Sequence, residues 1–193
     1  MQTEFEATIL DIEVNEVREK LKKLNAKLIQ PERLMRRYNF APHDEKGVEG
    51  AWVRVRDESD KVTMSFKRIE GNKIEDQKEV CLTIDSFDEG CVFLKEIGLE
   101  QKAYQETKRE FWLLKDVEVT IDTWPGLESF LEIEGQGEVV VKEVVEMLGY
   151  DYDKAIFGAV DVIYEMKLGI PPSVINNGTP EITFENPPKK YEV

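Results

Sequence analysis

The chain predicts an α+β fold built on a mostly antiparallel sheet or barrel, on three observations. Strand-like segments follow one another through short, turn-rich links, with few stretches long enough for a helical crossover. Helical periodicity is confined to one segment after the first strand, one near the middle and two at the end. Several strand candidates alternate apolar with charged residues, the pattern of a strand with one face in a core and the other in a polar medium.

The first strand runs over Thr3–Ile9, where Phe5 and Ala7 alternate with Glu4, Glu6 and Thr8. A helix follows over 14–25, because Val14, Val17, Leu21 and Leu24 recur on one face. Leu34–Phe40 reads as the second strand and 41–50 as a polar connection holding His43, a solvated loop residue. Ala51–Asp57 and Val62–Arg68 form a hairpin through ESDK, and Gln77–Ile84 adds another strand. Ser86 with Glu89 makes a capping box that opens a helix to Ile97, with Gly98 as its stop; Phe87, Val92 or Cys91, Leu94 and Ile97 are its buried positions. Glu106–Leu114, Val117–Asp122 and Ser129–Gly135 are three more strands, linked by LKD and by TWPGLE. Helices over 138–148 and 153–166 stop at Gly149 and near Gly169. The tail from 169 to 193 holds five of the eight prolines and reads as irregular apart from a short EITF strand.

A length of 193 residues suits one packed domain. Forty acidic against 26 basic residues give a net charge of -14, which excludes a general nucleic-acid binder and leaves polyanions only to a local basic cluster. No run of about 18 apolar residues is present to span a bilayer, and the first residues lack the basic and apolar regions of a signal peptide, so a cytoplasmic protein is expected. Cys81 and Cys91 lack metal-site spacing, and the one histidine excludes a multi-histidine centre. Trp52, Trp112 and Trp124, with Tyr104, Tyr150, Tyr152 and Tyr164, read as packing residues, and Gly126 as a turn glycine.

The charges themselves are ordered. Residues i and i+2 of a strand project from one face, so Glu4 with Glu6, and Glu132 with Glu134, each aim two acids in one direction. Arg54 with Arg56, then Lys67 and Arg109, provide cations spaced in the same way between them. If the strands close into a barrel, acids and bases share an interior suited to a divalent metal bridged to a phosphorylated ligand. Periodicity alone does not separate that polar lumen from a wet outer face.

The ordered set of motifs resembles the CYTH family, or triphosphate tunnel metalloenzymes, which includes class IV adenylyl cyclases and thiamine triphosphatases. These motifs are E-x-E at the start, R-x-R in WVRVRDE, T-x-S-F-K ending in Lys67, an acid in KEV, K-R-E before an aromatic, and I-D followed by F-L-E-I-E. The resemblance covers residues 1–168 as the tunnel domain and leaves 169–193 as a C-terminal tail. It implies an eight-stranded antiparallel β-barrel with flanking helices, whose lumen binds a triphosphate. By position, Arg54, Arg56, Lys67 and Arg109 take the phosphate-binding role, and either Arg36 or Arg37 joins them, since the two face opposite ways. Glu4, Glu6, Glu79, Glu132 and Glu134 match the positions holding Mg²⁺ or Mn²⁺, and Asp122 lies at a position often filled by an acid.

Four positions depart from the family pattern. Thr8 stands where E-x-E-x-K has its lysine, Thr107 where a lysine is common, Cys81 where a second acid is common, and Gln77 where a basic residue is common. The resemblance therefore implies an Mg²⁺-dependent enzyme acting on inorganic triphosphate, thiamine triphosphate or a nucleoside triphosphate, with hydrolysis favoured. Class IV adenylyl cyclase-like cyclisation of ATP, or a polyphosphate- or nucleotide-binding module with little catalysis, stays open as the alternative. No catalytic residue is assigned, and a homodimer is left open as the assembly.

Overall fold

Eight strands close on themselves in the computed structural model, which describes residues 1–42 and 50–191. The strands are β1 (Gln2–Ile9), β2 (Lys27–Pro42), β3 (Ala51–Asp57), β4 (Val62–Ile69), β5 (Gln77–Ile84), β6 (Leu99–Leu114), β7 (Val117–Thr123) and β8 (Phe130–Gly135). Their order is β2-β3-β4-β5-β1-β8-β7-β6, and a β2–β6 pairing completes the ring, every pair antiparallel. A closed sheet has no free edge and gives each strand one inward and one outward face. The predicted α+β barrel is the fold of the chain. The polar connection with His43 lies outside the described residues.

Turn chemistry fixes the register. Lys115 and Asp116 both take positive φ, 51° and 62°, so the link between β6 and β7 is a two-residue turn with the twist that adjoining strands require. Gly126, at φ 81°, lies in the turn closed by the Leu127 N–H on the Trp124 carbonyl.

The outer face of the barrel is the apolar one. Helices α1 (Val14–Lys23) and α3 (Glu138–Met147) bury Val17, Leu21, Val141, Val144 and Val145 against Ala7, Ile9, Val119, Leu131 and Ile133. Helix α2 (Phe87–Glu96) covers Phe40 and Val55 with Phe87, Cys91 and Leu94; Ser86 caps it through the Glu89 N–H. Val92 and Ile97 are exposed, so Cys91 is the buried member of the expected pair.

Four elements differ from the sequence expectation: β2, β6, the last expected helix and a helix in the tail. β2 and β6 each run 16 residues, well beyond the segments marked by alternation, because Pro31 and a shifted register between Gln30 and Arg33 hide the start of β2. The helix expected from residue 153 starts only at Val160, as α4 (Val160–Leu168). Ile156 instead exchanges two backbone hydrogen bonds with Thr8, filling a strand edge that β5 has already left. The tail is more ordered than its prolines indicate. It forms α5 (Pro172–Asn177), and the expected EITF strand is present as β9 (Glu181–Ile182), which pairs in parallel with Tyr104 and Gln105 where β6 has no β7 beside it.

α4, α5 and β9 build a third apolar cluster with Trp124 and Phe130, including Ile163, Tyr164, Ile170, Ile175 and Ile182. Trp124 and Phe130 continue the inward-facing rows of β7 and β8, so this cluster plugs one end of the barrel.

Candidate functional site

Strand alternation turns the charged rows into the wall of a cavity of about 910 Å³ inside the barrel. Every expected site residue lines it: Glu4, Glu6, Arg54, Arg56, Lys67, Glu79, Arg109, Glu132 and Glu134. Arg37 lines it as well, whereas Arg36 lies outside, over the Phe87 ring and 3.1 Å from Asp57. Trp112 packs into the cluster under α1 and α3 and Trp124 into the cluster at the barrel end, where it also lines the cavity; Trp52 joins the cavity wall without belonging to either cluster and differs from its reading as a packing residue.

Most of the acids gather on β1, β8 and β7, with Glu79 on β5. Glu6 sits directly across from Glu134, and Glu134 across from Glu118, so three carboxylates share one row of neighbouring strands. Like charges held opposite one another in a sheet repel. Burial, then the Glu132 charge, push the Glu6 carboxyl up to about 8, and burial raises Glu134 too. Neither has an ion-pair partner among the described residues; Glu6 accepts only a 3.3 Å hydrogen bond from Gln77 Nε2.

The cations lie on β2, β3, β4 and β6, and most are already matched. Lys67 Nζ is 2.9 Å from Glu4 and 3.9 Å from Glu79. Burial raises Glu4 to about 7 despite that ammonium, whereas Lys67 and Arg54 outweigh burial at Glu79 and hold it at about 2. Arg109 Nε donates to Asp122 at 2.6 Å and its Nη2 contacts both Asp122 and Glu132. Arg56 donates twice to Glu58, at 2.9 and 2.6 Å. Arg54 reaches Glu79 at 3.3 Å, and its Nε has no partner among the described residues.

Arg37 is the exception. It is 5% exposed, stacks 4.6 Å from the Trp124 ring centroid and, among the described residues, makes one side-chain hydrogen bond, donating 2.6 Å to the neutral Thr107 hydroxyl. Its Nε has no partner among the described residues, and burial with the charges of Arg54 and Arg56 lowers its pKa well below the ordinary value. Sequence reading left Arg36 and Arg37 open because strand alternation says that two adjacent residues diverge without saying which one turns inward. It missed Arg33, Glu58 and Glu118 altogether, although Glu58 continues the Arg54–Arg56 spacing.

The departures from the family pattern have separate local consequences. Thr107 gives Arg37 a neutral acceptor instead of a competing cation. Gln77 gives Glu6 a neutral donor. Cys81 is exposed, and Thr8 is 3% exposed between its backbone partners Glu132 and Ile156.

The donor set for a cation is entirely carboxylate oxygen, which fits a hard divalent ion that keeps several waters. Among the described residues no three acids converge into a ready-made cation site, so such an ion would be held by one or two carboxylates and by water. Glu6 and Glu134, the acids without an ion pair, are the residues that fit that role best.

Solved structures share this barrel. A candidate adenylate cyclase from Vibrio parahaemolyticus superposes with a TM-score of 0.73 at 11% identity, over 85% of this chain and 98% of its own. A conserved protein from Pyrococcus furiosus gives 0.65 at 20% identity, over 79% and 94%. A candidate adenylyl cyclase from Hippeastrum, described as having a dominant triphosphatase activity, gives 0.56 at 14% identity, over 89% and 99%. No curated protein matches the chain. The CYTH domain model matches residues 2–151, which hold all eight barrel strands with the acidic and basic rows of their lumen, and the chain belongs to the CYTH domain family.

Proposed function

We propose that the protein binds a small triphosphorylated compound in the barrel lumen and hydrolyses it with the help of Mg²⁺ or Mn²⁺. The observation that carries this reading is Arg37, a buried guanidinium with no ion-pair partner among the described residues and other arginines around it. A buried, uncompensated charge is costly unless a ligand completes it, and a polyanion supplies the missing charge.

In this reading Arg37 and Arg54 form the first contacts to phosphate oxygens through their free N–H groups, Lys67 and Arg109 join as their carboxylate partners yield, and Arg56 meets the end of the phosphate chain with Glu58 still beside it. Glu4, Glu6, Glu79, Glu132 and Glu134 form the acidic side, with Glu6 and Glu134 free to meet a cation. A bound divalent ion would neutralise and align the phosphates there. The apolar plug of Trp124, Phe130 and Tyr164 limits water at one end, so the phosphates would exchange solvent for fixed cations. The triphosphatase activity named for the Hippeastrum protein favours hydrolysis over cyclisation.

A binding module with little turnover is the second reading, favoured by Thr8, which lies under Ile156 and presents no cation to the lumen. Release of phosphate or pyrophosphate from inorganic triphosphate, thiamine triphosphate, ATP and GTP, with Mg²⁺ or Mn²⁺, separates these readings. Hydrolysis predicts release that a Glu4→Gln, Glu6→Gln double variant abolishes. Cyclisation would release pyrophosphate from ATP, and ligand-induced stabilisation without release would favour the binding module.

A further inference from the structure

Along the cavity wall β3 presents Trp52, Arg54 and Arg56 at two-residue intervals, and just past its end the row continues with Glu58. This last member is an acid, 5% exposed. Its Oε1 accepts from Arg56 Nε at 2.9 Å, from Arg56 Nη2 at 2.6 Å and from Thr63 Oγ1 at 3.0 Å. Its Oε2 lies 3.8 Å from both Arg33 and Lys61. Arg33 is fixed beside it by donating 2.9 Å to the Glu58 backbone carbonyl. Three cations and a hydroxyl therefore converge on one carboxylate, the donor arrangement with which proteins hold a phosphate, here satisfied from within the chain. Burial pushes the Glu58 carboxyl up, but Arg56, Lys61 and Thr63 outweigh it and hold the group below its ordinary value, so it is charged at neutral pH.

We propose that Glu58 sets the length of phosphate chain that the tunnel accepts, by occupying the last cationic position of the β3 row as an internal anion. This inference rests on the triphosphate-tunnel reading above. A phosphate held by Arg37 and Arg54 meets at the next position of the β3 row Arg56, which lies directly across from Arg37 and is already paired, and beyond it the buried carboxylate of Glu58. Further extension would bring like charges together in a partly desolvated space, a repulsive element of the kind that gives a site its selectivity. A chain longer than triphosphate must displace Glu58 from its three cations or leave its surplus phosphate outside the row.

Calorimetric titration with sodium triphosphate and sodium tetraphosphate, in EDTA to prevent turnover, tests this on the wild type and on Glu58→Gln. The glutamine keeps an oxygen acceptor for Arg56 and Thr63, and a melting curve confirms that the variant is folded. The wild type should bind tetraphosphate no more tightly than triphosphate, although tetraphosphate carries more charge. In Glu58→Gln the ratio should shift toward tetraphosphate by about tenfold or more. A wild type that prefers tetraphosphate overturns the inference without any variant. An unchanged ratio in the folded variant, with triphosphate still bound, overturns the inference alone. No binding of either polyphosphate by either protein overturns the tunnel reading and the inference together.

Discussion

Lys67 Nζ lies 2.9 Å from Glu4 Oε2, a contact between β4 and β1 that reaches over β5 on the wall of the lumen, at the boundary of its basic and acidic sides. The ammonium also lies 3.9 Å from Glu79, the residue directly across from it on β5. Removing one partner of a buried pair leaves the other charge unmet. Lys67→Met should destabilise the protein by about 1–3 kcal/mol in denaturant unfolding. The loss should be larger at pH 8 than at pH 6, because Glu4 titrates at about 7 and can protonate instead of standing alone. An equal loss at both pH values would place the stabilising contact elsewhere.

The pH dependence of the ligand-free protein has a definite sign. Glu6 is raised to about 8 and Glu4 and Asp122 to about 7, chiefly by burial, so the folded state holds more protons than the unfolded one above the ordinary carboxylate range. Their stability contribution is full below about pH 4 and is lost as pH rises through 7 and 8. Melting temperature measured in EDTA should therefore fall between pH 6 and 8.5. Mg²⁺ should flatten the curve by meeting the same carboxylates, and a curve indifferent to Mg²⁺ would count against a cation on this face.

Glu6→Gln should raise the melting temperature at pH 8 in EDTA, because it removes one acid of the Glu6–Glu134–Glu118 row. The same substitution should abolish most of the stabilisation by Mg²⁺ and most of the metal-dependent phosphate release. A variant less stable at pH 8 would mean that the Gln77 hydrogen bond outweighs the repulsion.

Arg37→Met is expected to exchange function for stability. An apolar side chain in place of a buried, unpaired guanidinium should leave stability unchanged or raise it, by up to about 4 kcal/mol. Triphosphate affinity should fall at least about tenfold. Loss of stability without loss of affinity would make Arg37 a structural brace against Trp124 and Thr107.

Most of the barrel was legible because strand alternation is local. Phe5 and Ala7 between Glu4, Glu6 and Thr8, or Val53 and Val55 between Trp52, Arg54 and Arg56, record two unlike faces whatever surrounds them. Elements whose boundaries depend on distant partners were not. The first half of β6 has weak alternation and is a strand because β2 lies beside it, and α4 begins late because Ile156 fills the edge at Thr8. The prolines of the tail hid α5, which packs through Ile175 into the cluster of Trp124 and Phe130.

The sequence by itself determined the alternating rows, the turns and the helical stripes, and therefore an antiparallel α+β fold with acids and bases on definite strand faces. Only the tertiary structure decided that those faces line an enclosed lumen, because ring closure through the β2–β6 pairing joins residues far apart in the chain. Closure likewise decided that Arg37 and not Arg36 turns inward. It decided too which charges neutralise one another, since Lys67 with Glu4, Arg109 with Glu132 and Arg37 with Thr107 meet across strands and not along them.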